Sequence, residues 1–148
     1  MSSLDIRRAN RRDFAAVTNL LVELGRPTPT PNNLEDLEEI YASYIRRDNI
    51  FALLALFEEQ PAGFLSLELR YRLNYDEREA WIPDFVIGQD FAALGVEKRL
   101  FDEARRVAAD WGCHQIVLES AAHQASTQRF LEDQGMQTFG KSFALKVR

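Results

Sequence analysis

"VIGQDFAALGVEKRLFDEA", residues 86–104, is the stretch on which the reading of this chain turns. An apolar strand ends at Gly88, a short loop follows, and an amphipathic helix begins near Gly95. That order offers backbone N–H groups to a phosphate, because the first turn of a helix leaves its donors unsatisfied and its dipole favours an anion. Loops of this kind usually carry several glycines and often a cation. Between Phe91 and Glu97 this loop has Gly95 alone, no cation, and a carboxylate.

Working outward, the strand "AWIPDFVI" is preceded by two others. "IFALLALF", Ile50 to Phe57, is apolar on both faces, as a central buried strand should be. "FLSLELRYRL" alternates, with Leu65, Leu67, Leu69, Tyr71 and Leu73 on one face and Ser66, Glu68, Arg70 and Arg72 on the other. Short polar turns join the three, which predicts an antiparallel meander. Downstream, Val96, Leu100, Ala104, Val107 and Trp111 mark one helix face ending at Gly112, and "QIVLE" follows as a short strand. Strand, helix and strand in that order imply a parallel pair.

The flanks complete the chain. Asp5 to Arg8 reads as a first strand, and Asn10 with Asp13 forms a capping box for a helix carrying Phe14, Val17, Leu20, Leu21 and Leu24. Prolines at 27, 29 and 31 enforce a loop. Asn33 and Asp36 repeat the cap for a second helix, whose expected buried stripe is Leu37, Ile40, Tyr41, Tyr44 and Ile45. A shorter helix is expected from about Gln124 to Gln134. "MQTF" and "SFALKV" then read as a closing hairpin. The expected fold is α/β (α+β) in the order β-α-α-β-β-β-α-β-α-β-β, one domain over residues 1–148 with a mixed sheet.

Composition narrows the function classes. With 18 basic and 23 acidic residues the formal charge is −5, and the cations are scattered, so a nucleic-acid surface is not expected. No apolar run reaches the length of a membrane span, and "MSSLDIRRAN" has no signal-peptide core. One cysteine, Cys113, excludes an internal disulfide and points to a reducing, cytoplasmic setting.

Element order and three stretches together resemble the GNAT superfamily of acetyl-CoA-dependent N-acetyltransferases. The stretches are "IRRANRRDFAAVTNLLVELGRP", "AWIPDFVIGQDFAALGVEKRLFDEARRVAADWGC" and "ESAAHQASTQRFLEDQGM". The resemblance implies a sheet splayed between its fourth and fifth strands, with acetyl-CoA as co-substrate in the splay and no metal. Its pantetheine would lie along Phe85, Val86 and Ile87. Its pyrophosphate would sit on the loop formed by Ala92, Leu94, Gly95, Val96 and Glu97, with Lys98 beyond. The implied acceptor is a small-molecule primary amine, and the family includes homodimers.

Against the family pattern Q/R-x-x-G-x-G/A, only Gly95 is kept. Ala92 removes a charge-assisted contact of about 1.5–3 kcal/mol. Glu97 places a carboxylate beside the phosphates, and at ~5 Å with an effective dielectric near 20 the repulsion is about 3 kcal/mol. Leu131 stands where the family has a tyrosine that protonates the leaving thiolate, and Pro83 where it has a glutamate. Proline there is compatible with a bulge or with the splay, where no ladder donor is needed. Asp84, Glu68 and His123 are the candidate catalytic groups, each with an ordinary structural role as the alternative. Two readings follow: an N-acetyltransferase attacking the thioester directly with its acceptor amine, or a GNAT-fold binding module that has lost catalysis.

Overall fold

The structure, a computed structural model, describes residues 3–120 and 124–148. Two compact units are distinguished, Met1–Val117 and Leu118–Arg148. The first holds β1 (Leu4–Arg8), α1 (Phe14–Leu24), α2 (Leu34–Ile45), β2 (Ile50–Phe57), β3 (Gln60–Tyr71), β4 (Arg78–Ile87) and α3 (Val96–Asp110). β5 (Ile116–Leu118) joins the sheet, whose spatial order is β1-β2-β3-β4-β5. β1 to β4 pair antiparallel, as the short turns predicted for β2, β3 and β4. At β5 the His114 N–H donates to the Arg78 carbonyl and the Ala80 N–H to that of Gln115, both at 2.9 Å, between strands running the same way.

Helices cover both faces. Leu54, Phe64 and Val86 pack with Val17 and Leu20 of α1, and with Tyr41 and Ile45 of α2. On the other face α3 buries Val96, Leu100, Phe101, Ala104 and Val107. Double coverage explains why β2 is apolar throughout. It also means that the face of β3 read as polar is not a solvent face: Ser66 is fully buried and Glu68 half-buried.

Gly63 sets how closely α3 approaches. A Cβ there would sit 2.9 Å from Val96 Cγ1, 3.0 Å from Leu100 Cδ1 and 3.1 Å from the Val86 carbonyl oxygen. The backbone oxygen cannot yield, so Gly63→Ala is expected to cost about 1–3 kcal/mol by overpacking. In thermal unfolding that is a fall of several degrees, at ~2–4 °C per kcal/mol for a chain of this size; an unchanged midpoint would mean that α3 is free to shift.

Several local expectations hold and others are corrected. The Asn10 box forms, with Asn10 Oδ1 accepting from the Arg12 N–H at 2.9 Å and Asp13 Oδ2 from the Asn10 N–H at 2.7 Å. Asn33 does not cap α2, because its side-chain oxygen accepts from the Thr30 N–H inside the proline loop. Ile40 is 63% exposed rather than part of the buried stripe. β3 begins at Gln60 rather than at Phe64, because Glu58 and Glu59 both adopt positive φ and make the two-residue hairpin turn themselves. Leu73 lies beyond the strand and is exposed. β4 shifts register between the pairs Ser66–Asp84 and Glu68–Trp81, which leaves Ile82 and Pro83 in a bulge. A missing N–H is tolerated there.

The second unit, described by itself, contains α4 (Ala125–Asp133), which ends at Gly135 in the left-handed conformation. The closing hairpin is absent: residues 136–148 form no strand, and Phe139, Phe143, Leu145 and Val147 are exposed. Alternation alone does not make a strand, since its backbone donors need a paired neighbour and an isolated hairpin is marginal in water.

Candidate functional site

The loop from β4 to α3 takes the shape needed for an anion cradle. After a 3-10 turn at Gln89–Phe91, Ala93 adopts φ 66° and Gly95 φ 79°. Gly95 is the helix N-cap and makes no side-chain capping bond, so the donors at the start of α3 remain for a ligand. A Cβ at Gly95 would meet nothing within 4 Å. Conformation, not crowding, is therefore what favours glycine there. Ala93 holds the same left-handed region at a cost of about 1 kcal/mol.

Side chains add little to this cradle. Ala92 and Leu94 are exposed, and Val96 points inward against Gly63. Glu97 is half-buried in the first turn of α3, where it favours the helix dipole and would oppose an arriving phosphate. Lys98 is committed to Asp102, with both carboxylate oxygens 2.8 Å from Nζ. The backbone therefore fits a pyrophosphate and the side chains do not reinforce it. Upstream, Phe85, Val86 and Ile87 close β4 and pair with Leu65, Phe64 and Gly63 of β3. Phe85 faces Phe101 of α3 across 6.4 Å between ring centroids. β5 has three residues against ten in β4. The pairing begins at His114 against Arg78, just ahead of β5, and β5 stops before the end of β4.

Asp84 and Glu68 come together on the α1–α2 face of the sheet. Ser66 Oγ donates to Asp84 Oδ2 at 2.6 Å, and the Arg26 guanidinium lies 2.6 Å from Asp84 Oδ1. Arg26 also donates to the Pro83 carbonyl at 3.2 Å. Its placement follows from the end of α1. Gly25 turns left-handed, and the Arg26 N–H returns to the Leu21 carbonyl at 3.0 Å, so the next side chain is directed across to β4. Arg47, just past α2, lies 3.6 Å from Glu68.

Tyr44 completes the recess. Its hydroxyl adjoins Ser66 without hydrogen-bond geometry, and burial pushes its pKa up, helped by the negative charges of Asp84 and Glu68. It is therefore a neutral donor without a partner. Of the other tyrosines, Tyr41 donates to the Asn10 carbonyl at 2.7 Å, and Tyr71 and Tyr75 are exposed. His123 lies outside the described residues. Leu131 is buried on α4 and offers no proton. Among the described residues no cluster of His, Cys, Asp and Glu could hold a metal ion, and no helix is long and apolar enough to cross a membrane.

Two surface concavities, of about 220 and 250 Å³, do not include these carboxylates. The first lies over α2 at Glu35, Glu38 and Glu39, and the second between α1 and residues 88–91. Asp84 and Glu68 are instead covered by their ion pairs with Arg26 and Arg47. Sequence reasoning missed Arg26, Ser66 and Arg47, and placed Tyr44 in the buried stripe of α2. Only Ser66 left a signal, a small polar residue in phase with Glu68 on β3.

Residues 17–136 match the family model described as the acetyltransferase (GNAT) family. No curated protein sequence matches the chain. Among solved structures, a transcriptional regulator from Bacillus halodurans is similar at 19% identity and a TM-score of 0.87, over 97% of this chain and 99% of that one. Glucosamine-6-phosphate N-acetyltransferase from Arabidopsis thaliana is similar at 16% and 0.82, over 99% and 100%. An aminoglycoside N-acetyltransferase in complex with CoA is similar at 17% and 0.79, over 100% and 97%.

Proposed function

Because the chain belongs to the acetyltransferase (GNAT) family, we propose that it transfers an acetyl group from acetyl-CoA to a primary amine by direct attack. The observation that carries this reading is the pairing of an uncapped α3 N-terminus with a two-carboxylate recess at the other end of the β4 bulge. Backbone donors at Gly95, Val96 and Glu97 would hold the pyrophosphate, and the main chain of Phe85, Val86 and Ile87 the pantetheine arm. Acetyl-CoA supplies an activated acyl carbon: a C–N bond forms as the C–S bond breaks, the amine loses a proton, and the thiolate gains one from solvent.

The two carboxylates divide the work unequally. Asp84 is held by Ser66 and Arg26 at 2.6 Å each, a positioned acceptor that orients an ammonium. Glu68 has only a loose pair with Arg47 at 3.6 Å. It is the freer proton acceptor, so the general base is assigned to Glu68.

Thermal unfolding with millimolar acetyl-CoA tests the reading. Saturation at ~100 times the dissociation constant adds about 2.7 kcal/mol, a rise of several degrees at ~2–4 °C per kcal/mol. Glu97→Gln is expected to tighten binding by about ten- to a hundredfold by removing the repulsion. No shift in either protein would sink the enzyme and favour the binding-module reading.

A further inference from the structure

We infer that the acceptor is a primary amine that also carries an anionic group, its ammonium held by Asp84 and Glu68 and its anion by Arg26, Arg47 and Tyr44. This rests on the acceptor recess assigned above and names what the recess selects.

The first argument is charge. Each carboxylate of the recess already has a guanidinium against it, Arg26 on Asp84 and Arg47 on Glu68. The recess is thus neutral and dipolar. A plain amine or polyamine brings only positive charge, so it must displace two arginines and leave them facing it. An amine with an anionic group replaces both internal pairs like for like, ammonium on carboxylate and anion on guanidinium.

The second argument is independent. The buried Tyr44 hydroxyl adjoins this cluster without a hydrogen-bond partner, while Asp84 Oδ1 is engaged only by the ion pair with Arg26. A buried hydroxyl left unsatisfied beside two ion-paired carboxylates is a donor that the anionic group of a ligand can satisfy. The Arg26 and Arg47 side chains are half-exposed, 47% and 52%, while the Asp84 and Glu68 side chains are 12% and 19% exposed. Rotation of the arginines outward therefore opens the carboxylates without moving the backbone.

The test is binding in the presence of free CoA, read by calorimetry, for matched pairs that differ only in the anion. L-phenylalanine is set against phenethylamine, L-lysine against 1,5-diaminopentane, and phosphoethanolamine against ethanolamine. At least one anionic member is expected to bind about tenfold tighter than its match or better, the worth of one charge-assisted hydrogen bond. Which pair responds separates carboxylate from phosphate as the anion. Arg26→Gln with Arg47→Gln should bring that ratio toward one, and Tyr44→Phe, which keeps the ring, should lower it several-fold. Arg26→Lys should retain part of it. Equal or weaker binding by every anionic member, or a ratio that survives the double variant, overturns the inference. A preference without acetyl transfer would keep this inference and remove the activity. Transfer to anion-free amines alone would keep the activity and remove the inference.

Discussion

Glu68→Gln is expected to lower kcat by about two to three decades while the protein stays folded and binds acetyl-CoA, the usual worth of a positioned general base. Glutamine keeps the size of the side chain and an acceptor oxygen, so what is lost is the site for the amine's proton. The loss should be greatest near neutral pH, where the amine arrives protonated. It should shrink in alkaline solution as free amine accumulates and water suffices. Asp84→Asn is the control, because Asp84 is already held by Ser66 and Arg26. Its effect should appear mainly in KM. If Asp84→Asn costs more in kcat than Glu68→Gln, the two roles are exchanged and the assignment of the base fails.

What the sequence revealed and what it hid follow from the range of the interactions involved. The meander was legible because period-two alternation over β3 and the apolar run of β2 are local signals. Pro83 was legible as a break in the ladder, at a bulge or at the splay, because proline lacks the donor that a ladder requires, and the register shift lies where it stands. The start of α3 at Gly95 was legible for a similar reason, one residue whose left-handed conformation few others share. The cluster around Asp84 and Glu68 was not. Arg26 reaches Pro83 across 57 positions of sequence, from a loop whose prolines suggested only stiffness. Ser66 and Glu68 read as a solvent face because alternation distinguishes two faces without telling which of them a helix covers. Tyr44 has the spacing of a core residue, and its ring is one; only its hydroxyl stands out. Ile40 failed in the opposite sense, since one apolar residue at helical spacing need not meet the sheet.

The largest stability effect lies away from the recess, at Glu79 near the start of β4. Its side chain is 1% exposed, yet it is charged and fully partnered. Arg70 Nε donates to it at 2.8 Å, Arg72 Nη1 at 3.1 Å and Gln115 Nε2 at 3.1 Å. These bonds tie β3, β4 and the approach to β5 at one end of the sheet. Burial pushes the carboxyl upward, and the bonds from Arg70, Arg72 and Gln115 outweigh it, so its pKa lies below the ordinary glutamate value of 4.5. A depressed carboxylate adds stability that is complete above the unfolded-state value and is lost as pH falls through the folded one. Glu79→Gln keeps the volume but leaves Arg70 and Arg72 without their counter-charge. About 3 kcal/mol should be lost at pH 7, tempered by the partial exposure of both arginines. That corresponds to a fall in midpoint of roughly 6–12 °C. Acid should then bring the two proteins together: denaturant unfolding from pH 7 down to about 3 would show the wild type losing its advantage below pH ~4.5 while the variant changes less. A constant gap across that range would mean that the carboxylate is held by shape alone, and its two arginines would contribute nothing through charge.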